Sequence, residues 1–332
     1  LGTYMINLGI LGPGKIAQVM ADTVNKMISR GNKDICLWSV GSRSLERAQE
    51  FAKEFNIEHA YGSYESMLED PKLDLVYIAT PHNFHYEQAH MCLEHHKHVL
   101  CEKSFTVNAK EALDLCNFAK EQKCLLAEAI WTRYMPMRKL INDELASGVI
   151  GNVRMVTANL SYPMLKKERL FNANLAGGAL LDVGIYPLNF AEMILGEPSR
   201  IDASCIKSST GVDLSDSITL TYESTAQMAV LCSSYAASSD RYGFVHGEKG
   251  YMQVDNINNP QSYRVFNKDF QLLKELRCPT QISGYEYEVL ECIECIKTGL
   301  LECPSMPHSD TLSIMRQMDT IRAQFGLKYS FE

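Results

Sequence analysis

The chain has 332 residues, 32 Lys plus Arg against 40 Asp plus Glu, and an apolar fraction of 46%. That length exceeds one ordinary core and suits two domains. The formal charge of -8 argues against a surface built for nucleic acid or an anionic membrane. No apolar run approaches the roughly 20 residues needed to span a bilayer, so no membrane segment is expected. Eleven cysteines, an odd number, sit largely in apolar runs (Cys36, Cys92, Cys101, Cys124, Cys205, Cys232). No signal-peptide pattern opens the chain, so they are expected to be reduced, buried small hydrophobes of a cytoplasmic protein.

In chain order, Met5–Leu11 is a compact apolar run followed by Gly12-Pro13-Gly14 and a helical pattern to about Ser29. Ile35–Val40 reads as a second buried strand. Ser44 then suits an N-cap, with Leu45, Ala48, Phe51, Ala52 and Phe55 on one helical face. Leu75–Ala79 is a strand, Phe84 to His95 a helix, His98–Cys101 a strand, Asn108 to Gln122 a capped helix, and Cys124–Ala127 a strand. Such alternation predicts a doubly wound parallel sheet, an α/β Rossmann-type domain over residues 1–126. Pro136 can open a helix to Ser147. From Val153 the rhythm changes to longer alternating strands: Val153–Tyr162, Arg200–Ser208, Ser217–Tyr222, Gln227–Ser234, Tyr242–His246 and Tyr251–Val254. They predict an α+β domain over residues 127–332 with a mostly antiparallel open sheet. Helices near Leu180–Leu195, Tyr285–Thr298 and Thr311–Phe325 are expected to cover it.

The first motif with chemical content is "GILGPGKIA". Gly12, Gly14 and Ala17 fit a GxGxxG/A turn between a strand and a helix. There, the helix-opening amides of Lys15 and Ile16 would face a pyrophosphate. The second strand ends with Ser42 and Arg43, where an NAD site would carry an acid. A hydroxyl and a guanidinium suit the 2′-phosphate of NADP, so NADP is expected, with NAD as the alternative. Ala79, Thr80 and Pro81 end a strand on the edge where such cofactors lie. The histidines His82, His85, His90, His95, His96 and His98 spread around one helix without a zinc-site spacing, and Cys292 and Cys295 form a lone CxxC. No metal is assigned.

With "CEKS", "GGALLDVGIYPLN" and "HGEKGYMQV" added, the chain resembles the Gfo/Idh/MocA oxidoreductase family over essentially its whole length. The string "AEAIWTRYMP", and Tyr in "DVGIY" where other branches carry His, resemble the branch of dimeric dihydrodiol dehydrogenases and NADP-linked xylose dehydrogenases. The resemblance implies a Rossmann domain followed by an open-sheet domain whose exposed face serves in a homodimer. It matches Lys103 to the lysine of the family's Glu-Lys-Pro motif and Glu102 to its acidic neighbour. Asp182 and Tyr186 match the second active-site segment. Ser104 stands where the family has proline. A cis bond before a non-proline residue costs roughly 3 kcal/mol, so a trans Lys103–Ser104 peptide is expected.

Oxidising a secondary alcohol requires a base for the hydroxyl proton while hydride leaves carbon. A tyrosine needs a neighbouring cation to do this near neutrality. Tyr186 is therefore read as the proton carrier, Lys103 as its electrostatic partner and Asp182 as the orienting group; the competing assignment gives the proton to Lys103. Trp131, Arg133 and Tyr134 follow the last Rossmann strand and are expected to reach the cleft. There Trp131, Arg133 and Tyr186 would bind a sugar, polyol or diol. The loops Met164–Asn172 and Arg241–Tyr242 are further candidates for shaping the pocket. The alternatives are the same chemistry on an inositol or keto-sugar, and a regulator that senses NADP without turnover.

Overall fold

The opening apolar run is strand β1 (Ile6–Leu11), on which every side chain but that of Asn7 is buried. A computed structural model describes residues 4–332. In it β1 feeds α1 (Lys15–Ser29), and the alternation continues through β2 (Ile35–Gly41), α2 (Leu45–Phe55), β3 (His59–Tyr61), α3 (Tyr64–Leu68) and β4 (Leu75–Ile78). It is completed by α4 (His85–Glu94), β5 (His98–Glu102), α5 (Ala109–Glu121) and β6 (Leu126–Ala129). The six strands pair in parallel in the order β3-β2-β1-β4-β5-β6. This is the doubly wound order expected from buried strands joined by crossover helices. Ser44 caps α2 by accepting the Arg47 N–H, and Asn108 caps α5 by accepting the Glu111 N–H. β6 begins two residues later than the apolar run suggests, because the Cys124 N–H bonds Ala119 at the end of α5. β3 has no fully buried residue, which is why no apolar pattern announces it.

The chain divides into two units, and the division is not a single cut near residue 127. Residues up to Tyr134 group with Gln281–Leu312, while Met135–Thr280 group with Ser313–Glu332. Helix α8 (Glu286–Thr298), expected over the second sheet, belongs instead to the first unit. There Ser283, just ahead of it, meets Thr23 of α1 at 2.8 Å, and Lys297 pairs with Asp34.

In the second unit α6 (Pro136–Ala146) precedes β7 (Val153–Ser161), and α7 (Ile185–Leu195) precedes β8 (Arg200–Lys207), β9 (Asp213–Tyr222) and β10 (Gln227–Ser234). The remaining strands are β11 (Gly243–Gly247), β12 (Gly250–Val254), β13 (Ser262–Asn267) and β14 (Leu272–Arg277), and α9 (His308–Phe325) is the last helix. The sheet runs β14-β13-β12-β11-β7-β10-β9-β8, antiparallel except for β7 with β10. Across it the paired row Ala229, Val156, Val245, Met252 and Val265 is fully buried. α7 lies on this side so closely that a Cβ on Gly243 of β11 would come within 2.5 Å of the Phe190 ring. The adjacent row Met228, Met155, His246, Tyr251 and Phe266 is at least partly exposed on the other face. β14 buries no residue fully and so leaves no amphipathic trace in the sequence.

Two expectations change. The stretch Ala173–Leu195 is long and apolar enough by composition to cross a membrane, but 78% of its most apolar window is buried inside the protein, where it serves as core. The cysteines are free, yet Cys232 is exposed on the outward side of β10, and Cys36 and Cys205 are only half-buried. The tightest thiol group is Cys292, Cys295 and Cys303, with Sγ atoms of the first two each 3.9 Å from the third.

Candidate active site

The order of the parallel sheet reverses between β1 and its neighbours, which opens a crevice at the carboxyl ends of β1 and β4. Leu11 pairs with Gly41 on one side and Ile78 on the other. Gly12, Ser42 and Ala79 therefore leave the sheet together on one edge. Gly12 has φ +96, and a Cβ there would lie 2.8 Å from Thr80 Cγ2, so only glycine fits. Gly14 is different: a Cβ on it would meet nothing within 4 Å. That open space lies before the first turn of α1, which has no side-chain cap. The amides of Lys15 and Ile16 are there by helix geometry without intrahelical acceptors. A backbone cradle of this kind fits a pyrophosphate, with the helix end favouring its negative charge.

Gly12 and Gly14 line a cleft of about 450 Å³ with Pro13, Ser42, Arg43, Ser44, Arg47, Tyr64, Ala79, Thr80 and Pro81. The cleft thus brings together both glycines, the Ser42-Arg43 pair and the Ala79-Thr80-Pro81 edge. It also adds Arg47 and Tyr64, which sequence reasoning missed. Burial raises the Tyr64 hydroxyl pKa, while Arg43 and then Arg47 pull it down, so both guanidinium groups bear on this corner. Arg47 sits in the first turn of α2, just past the Ser44 cap that follows Arg43, and this placement could have flagged it. Among the described residues, no carboxylate lines the cleft. Two arginines and two serines suit a phosphate better than a bare ribose hydroxyl.

Beyond β4 and β5 the edge carries Lys103. Its acidic neighbour Glu102 is buried and turned inward: Oε1 accepts the Tyr77 hydroxyl, and Oε2 accepts the Lys103 N–H at 3.2 Å. Burial, Glu102 and Glu288 drive the Tyr77 pKa well above its usual value, so this hydroxyl stays protonated and donating. Both Glu102 oxygens are thus engaged, one by the Tyr77 hydroxyl and one by the Lys103 backbone. Glu288 of α8 is wholly buried, and burial followed by Glu102 and Glu286 raises its pKa far above the carboxylate range.

The Lys103–Ser104 peptide is cis, not trans as its residue types lead one to expect. The intrinsic preference of the dipeptide is overridden by its surroundings, in which Ser104 is fully buried and its carbonyl is engaged by the His85 ring.

After β6, Trp131 is 9% exposed and stacks on Tyr285 at 4.2 Å between centroids. Arg133, 1% exposed, pairs with Asp310 at 3.0 Å, and the Tyr134 hydroxyl donates to the Glu128 carbonyl at 2.7 Å. The structure thus engages buried Arg133 in an ion pair with half-buried Asp310, and Tyr134 in a buried hydrogen bond. Neither is set out as an open binding group.

In the second unit, Asp182 and Tyr186 do not share one regular helix. Asp182 lies in a π-turn, Leu180–Gly184, and Tyr186 in the first turn of α7. π-turns inside helices are costly and recur at functional sites. The Leu180 N–H at its start donates to buried Asp213 at 2.7 Å. Tyr235, just past β10, donates its hydroxyl to Asp182 Oδ2 at 2.7 Å. Tyr186 is 7% exposed. The Met164–Asn172 loop reaches this group, since Phe171 packs edge-on against Tyr235 at 5.6 Å. Arg241 instead covers the Tyr162 ring at 5.3 Å, and Tyr242 packs on Phe244. Among the described residues, no group of three or more His, Cys, Asp or Glu is arranged to hold a metal ion.

Residues 6–130 match the family model described as the GFO_IDH_MocA oxidoreductase family, NAD-binding Rossmann fold, and residues 138–253 match the GFO/IDH/MocA C-terminal domain. The chain is 32% identical over 331 residues to trans-1,2-dihydrobenzene-1,2-diol dehydrogenase of Mus musculus, covering 97% of each. It is 31% identical over 366 residues to D-xylose 1-dehydrogenase (NADP(+)) of Hypocrea jecorina, covering 98% of this chain and 93% of that one. Among solved structures, KijD10, a 3-ketoreductase from Actinomadura kijaniata in complex with NADP and TDP-benzene, shares the fold with a TM-score of 0.85. It is 24% identical, over 97% of this chain and 98% of that one.

Proposed function

We propose, since the chain belongs to the Gfo/Idh/MocA oxidoreductase family, that it is an NADP-dependent dehydrogenase of a sugar, polyol or trans-dihydrodiol. The observation that carries this reading is the cleft in which Gly12 and Gly14 meet Arg43 and Arg47. The relatives named for dihydrodiol and NADP-linked xylose oxidation support the substrate class. When bound, the nicotinamide supplies a hydride acceptor or donor. The chain's own residues supply the rest. The Gly14 turn and the amides of Lys15 and Ile16 bind the pyrophosphate, and Ser42, Arg43 and Arg47 hold the 2′-phosphate. Tyr186 takes the substrate hydroxyl proton, Lys103 contributes the positive charge that lets a phenol do so near neutrality, and Asp182 orients the group. Help of this kind is worth about 10²–10⁴ in rate.

The partly exposed row Met228, Met155, His246, Tyr251 and Phe266 supports a homodimer through the open sheet face. A monomeric mass by light scattering would overturn that part. Free cysteines support a reducing, cytoplasmic setting.

The test is a fluorescence titration with NADPH and NADH, followed by NADP reduction with D-xylose, D-glucose, inositols and trans-dihydrodiols. Preferential NADPH binding with turnover on one class is expected. Tight binding with no turnover on any would favour the sensing alternative.

A further inference from the structure

His85 opens α4, and its ring has no exposed surface. Nε2 lies 2.7 Å from the Thr80 carbonyl oxygen. Nδ1 lies 2.7 Å from the Ser104 carbonyl oxygen and 3.2 Å from that of Phe105. One imidazole therefore joins two strand-end segments that have no ladder between them: the turn after β4 that lines the cofactor cleft, and the turn after β5 that carries Lys103. A carbonyl only accepts, so each link needs a ring proton on the nitrogen facing it. The imidazolium makes both links and a neutral tautomer makes one. Burial, opposed by the three facing carbonyls, lowers the His85 pKa below its ordinary value, so near neutrality the ring donates to one carbonyl and packs against the other. Gln88, one turn along α4, engages the same turn by accepting the Thr80 hydroxyl. His85 is thus built into the site's frame.

We propose that His85 is a positioning residue for Lys103. Wedged between the Thr80 and Ser104 carbonyls, and hydrogen-bonded to at least one of them, it sets where the ammonium stands relative to the turn that borders the nicotinamide half of the cleft. His85 touches neither phosphate nor the reacting atoms, and it acts through the backbone on either side of it. This rests on the reading of Lys103 as part of the catalytic machinery. It adds what holds that lysine in place, which the Glu-Lys sequence alone does not explain.

The test is a double-mutant cycle on turnover, with NADPH affinity as the second readout. His85→Leu removes both links, and His85→Gln retains one amide donor for one carbonyl and serves as the variant that folds if the first does not. The expected result is a kcat loss of about 10–100-fold for His85→Leu and a smaller loss for His85→Gln. NADPH affinity should change less than about threefold, because the phosphate contacts at Gly14, Arg43 and Arg47 do not depend on the brace. In the Lys103→Met background, His85→Gln should cost little further turnover. Unchanged kcat in His85→Gln and His85→Leu would overturn the proposal while leaving Lys103 catalytic. So would losses that add in full to that of Lys103→Met, or that follow NADPH affinity. Near-wild-type turnover in Lys103→Met itself would remove the catalytic reading, and the positioning role with it.

Discussion

The hydroxyl of Tyr235 donates to the Asp182 carboxylate across 2.7 Å, joining the end of β10 to the π-turn ahead of α7. Burial, with Asp182 next, holds the Tyr235 hydroxyl pKa well above its usual value, so it remains a donor across the working pH range. Tyr235→Phe keeps the ring and its edge contact with Phe171 but removes the donor. Loss of a hydrogen bond to a charged group costs about 1.5–3 kcal/mol. We expect kcat to fall about tenfold or more, with stability lowered by no more than that amount. Steady-state kinetics beside a thermal melt checks this; unchanged kcat would show that Asp182 needs no such support.

Gly12 and Gly14 respond differently to the same methyl group. Gly14→Ala meets no neighbouring atom within 4 Å, so the free protein should melt as the wild type does while NADPH affinity drops at least tenfold. Gly12→Ala collides with Thr80 at positive φ and should destabilise the fold itself, by about 1–3 kcal/mol. Melting curves without cofactor, paired with NADPH titrations, separate the two.

Arg43→Ala and Arg47→Ala should each weaken NADPH binding by about tenfold and leave NADH binding nearly unchanged, since a charged hydrogen bond is worth about 1.5–3 kcal/mol. The ratio of NADPH to NADH dissociation constants is the measurement. A preference that survives in Arg43→Ala would place the 2′-phosphate elsewhere.

Tyr186→Phe and Lys103→Met distinguish the two assignments of the proton. If Tyr186 carries it, Tyr186→Phe loses about 10²–10⁴ in kcat. Retention of turnover in Tyr186→Phe, with loss in Lys103→Met, would give the proton to the lysine.

Asp213 and Asp216 are buried against one another beneath the same π-turn, and burial followed by Asp213 pushes the Asp216 pKa up to about 11. Asp213 is also raised, chiefly by burial. With folded pKa values above the unfolded ones, the folded state holds more protons between about pH 4 and the raised values. Stability is therefore fully present at acid pH and declines as pH climbs through that window. Asp216→Asn cannot ionise and offers Asp213 an amide donor. We expect it to flatten the pH dependence and to raise Tm at pH 9 by roughly 3 °C or more relative to wild type. Parallel melts from pH 5 to 9 test this; identical slopes in the two proteins would refute it.

Local pattern determined much of this protein. Buried strands alternating with amphipathic helices specified the parallel sheet. The glycine turn, Ser42-Arg43 and Ala79-Thr80-Pro81 were legible because they occupy the carboxyl ends of consecutive strands, which the sheet brings to one edge. Residues without periodicity were not legible: β3 and β14 bury no side chain fully. Helix α8 was legible as a helix, but its place in the first unit was not, because its neighbours there lie far from it in sequence. Only tertiary structure decided that Lys103–Ser104 is cis, that Arg133 pairs with Asp310, that Tyr235 holds Asp182 and that His85 joins two loops. Each depends on partners distant along the chain or on burial that outweighs a residue's intrinsic preference, and neither is written in local sequence.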